Sequence, residues 1–355
     1  MSASGSGGSA YGTRRYLCVE PFLRDFVLAQ AIGAALDAGL FDLLAQAPVP
    51  AGELAQRIGA DPRAFAVLSK LLRAGRVVEE RAGAIALTAG FAQALEFREL
   101  IRTRIDFARI VAPDLTMRMG AFLASPDDFM HGSALFELFD YDRALGDRPE
   151  DREATRRWVR FTTELTRHEA PVLLESGVSR GRSHLLDIGG NSGEFARQAC
   201  EHEPGLRATV ADLPGVCAIG REHVAASPAA ARIEFVARDA LRHPLPRVDW
   251  VNFKSMLHDW PDEAAAILLR RAFDCLLPGG QLSIFERCEP VVREGLLGYT
   301  FAPMVLFLHT FRPVGWYLRE LSAIGFVDLR AESVELDSTF CLVRATRPDG
   351  PRRDA

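Results

Sequence analysis

The sequence predicts an α/β fold: a C-terminal doubly wound, mostly parallel sheet preceded by an all-helical N-terminal region that ends in a short hairpin. Three observations predict it. Apolar strand patterns alternate with helical patterns from residue 183 to residue 346. The apolar run Leu185–Ile188 passes through a carboxylate into the turn Gly189-Gly190-Asn191-Ser192-Gly193, and then into the helical pattern Glu194–Cys200. Acids close three successive strands, at Asp187, Asp212 and Asp239. A solvated strand end explains any one of these acids; three in a row, each followed by helical pattern, ask for a ligand.

Taken in order, Met1–Ala10 is rich in Ser and Gly, has neither the basic nor the apolar region of a signal peptide, and reads as part of a disordered tail over 1–15. Residues 16–45 place Phe22, Phe26, Ala29, Ile32, Leu36, Leu40 and Leu43 along one side of a helical pattern. Glu53–Ile58 and Pro62–Ala74 follow as short helices, with Asp61 as N-cap before Pro62. Val77–Glu80 and Ala84–Leu87, joined through Arg81-Ala82-Gly83, form the hairpin of a winged helix over 16–96. Its recognition helix offers only Arg63, Lys70 and Arg73, in a chain of net charge −5, which argues against nucleic acid.

Residues 97–180 read as helical, with a break at Ser125-Pro126 and a polar linker at Gly146–Asp151. Aromatics there, Trp158 and Phe161 among them, suit a pocket for a flat substrate, although core packing accounts for most of them. The βα domain then covers 181–347, with 348–355 as a tail. Its strands are Leu185–Ile188, Thr209–Asp212, Ile233–Ala237, Val248–Phe253 and Gln281–Phe285, the last after the turn Leu276–Gly280, with Phe326–Ala331 and Thr339–Ala345 closing the sheet.

The chemistry concentrates at the carboxyl ends of these strands, where doubly wound sheets place their ligands. Glycine accepts positive φ and lets a ligand approach main chain with no Cβ in the way, while the following helix offers unpaired N–H groups. Asp212 lies 25 residues after Asp187, close to the spacing at which an acid accepts ribose hydroxyls. Asp239 stands after the next strand, placed to accept from an adenine amino group. The fourth strand ends at Lys254, followed by Met256-Leu257-His258-Asp259-Trp260. Lysine and asparagine each occur twice in 355 residues, and three of those four (Asn191, Asn252, Lys254) fall in this segment.

Composition narrows the class. Hydrophobic content of 48% and charged content of 25% are ordinary for a globular chain. Six scattered cysteines form no CxxC pair, so neither a zinc site nor a disulfide framework is indicated and reduced thiols in the cytoplasm are the simple expectation. No apolar stretch is long enough to span a bilayer.

These motifs resemble those of class I S-adenosylmethionine-dependent methyltransferases, in the plant-type small-molecule O-methyltransferase family that includes bacterial polyketide- and antibiotic-tailoring members. The resemblance covers residues 16–346 and is strongest from Leu185 to Gly280. It implies a Rossmann-like domain and a winged-helix domain that makes a homodimer and lends residues to the partner's pocket. S-adenosyl-L-methionine would be the cofactor, contacted by Asp187, Gly189, Gly190, Asn191, Gly193, Asp212, Leu213, Asp239, Ala240 and Lys254. His258 matches the general base, Asp259 follows it in an intact His-Asp-Trp triplet, and Glu286 matches one of two glutamates that orient the imidazole. Trp158, Phe161, His309 and Arg312 are the candidate substrate contacts.

The chain departs from the family at the second glutamate. Counting back from Ala323-Ile324-Gly325-Phe326 puts Arg312 on the family arginine and Phe311 on the missing carboxylate, with His309 replacing a glycine nearby. O-methylation of an aromatic or polyketide-like secondary metabolite, in a bacterium, is the leading expectation. The alternatives are carbon or nitrogen methylation, a metal held by His258, Asp259 and His309 that polarises a keto acid, and a related scaffold that uses the cofactor without transferring its methyl group.

Overall fold

The computed structural model describes residues 13–146, 148–288, 298–307 and 310–350. It divides into two compact units. One holds Arg15–Leu135 with the described part of Val292–Leu306; the other holds the described parts of Phe136–Val291 and Phe307–Ala355 with Thr13 and Arg14.

In the smaller unit the helical pattern over 16–45 is realised as separate pieces rather than one helix. A 3-10 turn Arg15–Val19 and a short helix Glu20–Leu23 precede the helix Phe26–Asp37 and the short helix Leu40–Leu44. The breaks have local causes. Asp25 leaves helical geometry and caps the next helix, its carboxylate accepting from the Leu28 N–H at 2.7 Å. Gly39 turns the chain at φ +71°. The helix Pro62–Ala74 begins as its sequence predicts, with Asp61 accepting from the N–H groups of Arg63 and Ala64. Strands β1 (Val78–Arg81) and β2 (Ala84–Leu87) form the antiparallel wing. Ala82 and Gly83 both have positive φ, which a two-residue hairpin turn of this hand requires. The residues expected to be one helical region, 97–180, are shared between the units: the helix Arg98–Ala124 belongs to the smaller and Pro149–Glu175 to the larger.

The larger unit is built on seven strands: β3 (His184–Ile188), β4 (Arg207–Asp212), β5 (Ile233–Ala237), β6 (Val248–Lys254), β7 (Leu276–Arg287), β8 (Val327–Glu335) and β9 (Thr339–Thr346). Their spatial order is β5-β4-β3-β6-β7-β9-β8. The first five are mutually parallel; β9 runs antiparallel to β7 and β8 antiparallel to β9. Strand β7 starts earlier than its sequence suggests, because Leu276 already pairs with Val248 before the register shifts around the Pro-Gly-Gly turn. Alternate residues feed two cores. Leu186, Val251, Phe253 and Ile284 face one way with Tyr317 and Leu321. Leu185, Trp250 and Phe285 face the other with Phe195 and Phe340.

This order positions the site. From β3 the chain winds outward through β4 to β5, then returns to β6 on the other side of β3. The reversal opens a crevice at the carboxyl ends of β3 and β6. The register Asp187↔Asn252 brings the glycine turn after β3 beside the segment after β6 that carries His258.

Candidate active site

The glycine turn is shaped by its own backbone. Gly189, Asn191 and Gly193 have φ of +66°, +55° and +73°. Asparagine is among the few residues with a side chain that tolerate this region, and its Oδ1 accepts from the Ser192 N–H at 2.6 Å. At Gly190 a Cβ would stand 2.6 Å from an Asp187 carboxylate oxygen and 2.9 Å from Val210, so no side chain fits without displacing the acid. The helix Glu194–His202 starts directly behind the turn.

Two carboxylates line this end of the sheet. Asp187 Oδ1 accepts from Asn252 Nδ2 at 2.9 Å, and Asn252 is itself held by the Ser283 hydroxyl, which donates to Asn252 Oδ1 at 2.7 Å and accepts from the Trp250 indole. Burial pushes the Asp187 carboxyl up to about 7, against the Asn252 bond and the charge of Lys254. Asp212 accepts from the N–H groups of Asn191 at 2.8 Å and Leu213 at 2.7 Å, which draws the end of β4 onto the turn; burial pushes it up to about 6. Both are carboxylates in want of a cation or further donors. Asp239 is turned to its own loop, accepting from the Leu241 N–H and pairing with Arg242, and Ala240 packs on the adjoining core.

His258 lies on the short 3-10 turn Leu257–Asp259, with its side chain buried. Glu286, fully buried on β7, accepts the Met256 and Leu257 N–H groups on Oε1, both at 2.7 Å, and faces His258 Nδ1 with Oε2 at 2.8 Å. Burial acts to raise the Glu286 carboxyl, but His258 and those two N–H groups outweigh it, so it lies below its ordinary value and is ionised. An ionised carboxylate only accepts, which assigns the proton to Nδ1 and leaves Nε2 for chemistry. Nε2 stands 3.4 Å from Asp259 Oδ1. Burial works to lower the histidine pKa, but Asp259 and Glu286 together outweigh it and the net direction is up. Phe307 and Phe311 close on the imidazole with ring centroids 5.5 and 5.2 Å away, and Phe307 in turn packs on Phe139.

The chain from residue 134 to 312 matches the family model described as an O-methyltransferase domain. It is 30% identical to the 3-hydroxy-5-methyl-1-naphthoate 3-O-methyltransferase of Streptomyces sahachiroi, over 79% of this chain and 81% of that one. It is 31% identical to the acetylserotonin O-methyltransferase of Rattus norvegicus, over 92% of this chain and 73% of that one. The chain belongs to the O-methyltransferase family. It is thereby an S-adenosylmethionine-dependent methyltransferase. The crystal structure of human N-acetylserotonin methyltransferase in complex with SAM has the same fold, with a TM-score of 0.66 at 19% identity, over 98% of this chain and 100% of that one.

In this methyltransferase the expected site residues fall into three groups. His258, Asp259 and Glu286 are brought together, and Asp187, Gly189, Gly190, Asn191, Gly193, Asp212 and Leu213 form one continuous rim. A second group is otherwise engaged, Asp239 with its own loop and Arg242, and Ala240 with the adjoining core. The Lys254 ammonium pairs with Glu169 and lies 3.2 Å from the Thr166 hydroxyl on the helix Pro149–Glu175, so it is committed to protein rather than free above the turn. Arg312, the expected substrate contact, holds the loop that carries His258: it donates to the carbonyls of Leu257 and Trp260, pairs with Asp262 at 2.7 Å and stacks on Trp316. Phe161 is buried in the core, and Trp158 is buried against Phe139 and Tyr141. The third group is His309 alone, which lies outside the described residues.

Among the described residues no group of three His, Cys, Asp or Glu side chains is placed to hold a metal ion. Sequence reasoning missed Tyr141, Glu169 and Phe307. None carries a local signal; each reaches the site from a distant part of the chain.

Proposed function

We propose that this methyltransferase methylates a hydroxyl on an aromatic or polyketide-like small molecule, with His258 as general base. The observation that carries the reading is the pinning of His258 Nδ1 by an ionised, fully buried Glu286, which leaves Nε2 as the basic nitrogen among aromatic rings. A phenol of ordinary pKa near 10 is protonated at neutral pH, so a positioned imidazole contributes roughly 10²–10⁴-fold by removing its proton. S-adenosylmethionine, when bound, supplies an electrophilic methyl group on a sulfonium whose departure leaves a neutral thioether.

The residues at the glycine turn fit that cofactor. Asp187 and Asp212 are buried acceptors matched to an ammonium and to ribose hydroxyls, and Gly190 leaves main chain uncovered where a side chain would collide. Leu213 continues the same edge; Asp239, in the loop after β5 with Ala240, would accept from the adenine by giving up its bonds to the Leu241 N–H and Arg242. Phe307, Phe311 and Phe139 exclude water from the base and offer flat surfaces to a ring-bearing acceptor. The naphthoate and acetylserotonin named for the relatives are flat hydroxyl-bearing aromatics, which supports the same acceptor class here.

Further parts of the reading concern the whole protein: a winged-helix domain over 16–96 that makes a homodimer, a cytoplasmic location, and a place in bacterial secondary metabolism. No helix among the described residues is long and apolar enough to cross a membrane. The test is product analysis with a panel of phenolic and enolic acceptors. A gain of one methylene with release of S-adenosylhomocysteine establishes transfer, and the carbon chemical shift of the added methyl group places it on oxygen. His258→Gln is expected to reduce turnover at least about 100-fold while leaving S-adenosylhomocysteine affinity intact. Retained activity in that variant removes His258 from the role of base.

A further inference from the structure

The base has a carboxylate on each side, although Phe311 stands where the family resemblance implies a second glutamate. The phenyl ring of Phe311 lies edge-on to the imidazole. The second carboxylate comes from the next residue along the chain: Asp259 presents Oδ1 to His258 Nε2 at 3.4 Å. Its other oxygen, Oδ2, accepts from the Tyr141 hydroxyl at 2.8 Å. Tyr141 sits on the 3-10 turn Tyr141–Leu145, its ring packed edge-on against Trp158 at 5.5 Å, and Trp158 packs on Phe139. The hydroxyl is therefore aimed by aromatic packing, not by a freely turning side chain.

We propose that Tyr141 is a positioning residue: by holding Asp259 against His258 it supplies the second carboxylate that the chain lacks at Phe311. The inference rests on the reading of His258 as the base. With Nδ1–H donating to Glu286, a neutral imidazole turns the Nε2 lone pair toward an oxygen of Asp259. Two acceptors at that distance repel, and a proton held in common makes the contact attractive. Before an acceptor molecule arrives, the His258–Asp259 pair therefore keeps one proton. It must leave to solvent before Nε2 can take the proton of the acceptor hydroxyl; no other bond changes in that step.

Among the described residues, few charged groups face the imidazole. Asp259 and Glu286 favour its charged form; burial and Arg287, the next residue on β7, oppose it. Tyr141 reaches it only through Asp259. Arg312 meets the loop at backbone carbonyls, and Phe307 and Phe311 bring no charge. The tyrosine hydroxyl keeps the Asp259 carboxylate on Nε2, so removing it lets the carboxylate turn away and the imidazole loses part of the charge that raises it. Removing the carboxylate itself acts the same way, and more strongly.

The experiment follows the His258 imidazole by NMR in protein labelled at histidine, with His258→Gln assigning the resonance. Asp259→Asn is expected to move the His258 titration about one unit or more to lower pH, and Tyr141→Phe to move it the same way by less. The acid limb of kcat/KM should move with it. A Tyr141→Phe titration that stays in place or rises while Asp259→Asn falls overturns the proposal and leaves Tyr141 as packing. Because the titration needs no acceptor, it stands apart from the assignment of the reaction. Both falls in an enzyme that releases no S-adenosylhomocysteine would uphold Tyr141 and sink the base.

Discussion

At His258 burial and charge compete, and charge wins. A buried imidazole away from carboxylates would lose its proton readily; between Asp259 and Glu286 it keeps it above the ordinary histidine value. The sign for catalysis follows. With His258 as the proposed base, an imidazolium cannot accept a proton, so activity is expected to be lost as pH falls through this raised value and to be full only above it. The acid limb of the rate profile is expected above about 6.5, the ordinary histidine pKa, and a rate profile with any accepted phenol measures it. Phe311 tests the same balance from the other side. Phe311→Glu puts a carboxylate in place of a ring whose centroid lies 5.2 Å from that of the imidazole, and is expected to move the limb to still higher pH, slowing turnover at neutrality. A limb left in place would show that this position does not share the field of the base.

The strand–turn–helix around Gly190 is the element that carries the proposed cofactor site. Gly190→Ala puts a methyl group 2.6 Å from the Asp187 carboxylate, and one of the two must move. Loss of S-adenosylhomocysteine affinity by at least about tenfold is expected, the equivalent of one charge-assisted hydrogen bond, with calorimetry as the measure. The element also has a pH signature. Asp187 and Asp212 are raised by burial to about 7 and about 6, so the free protein binds extra protons there. Folding stability from these two groups falls as pH rises from the ordinary carboxylate value through those values. A ligand bearing an ammonium and hydroxyl donors favours the ionised forms. Affinity should therefore weaken as pH drops from 8 through about 6, and affinity flat with pH would show that neither acid faces the ligand.

Across the larger unit, one buried network ties the long helix to the sheet. Glu169 on the helix Pro149–Glu175 takes Lys254 of β6 on one oxygen and Arg287 of β7 on the other, and Arg287 also approaches Asp337 beyond β8 at 3.6 Å. Burial raises the Glu169 carboxyl, but the two cations outweigh it and hold it down to about 2. Its stabilisation is present above the ordinary glutamate value and is lost as pH falls through that depressed one. Glu169→Gln leaves two buried cations short of an anion and is expected to cost about 3–5 kcal/mol, read by chemical denaturation at neutral pH. An unfolding midpoint close to wild type would mean that Lys254 finds another partner, such as Asp187, whose carboxyl already feels its charge.

What the sequence determined is local. Alternating strand and helix patterns, glycines spaced for positive φ, and acids ending three strands specify a doubly wound sheet and a ligand edge, because each is enforced within a few residues of chain. The His-Asp-Trp run and Glu286 were legible because family motifs keep their spacing. Tertiary structure alone decided which carboxylates meet His258, that Lys254 and Arg312 are spent on protein partners, and that Tyr141 reaches Asp259 across 118 positions. Those outcomes depend on strand order and on rings packing from distant turns, and a hydrogen bond between residues so far apart leaves no periodicity or spacing for a linear sequence to show.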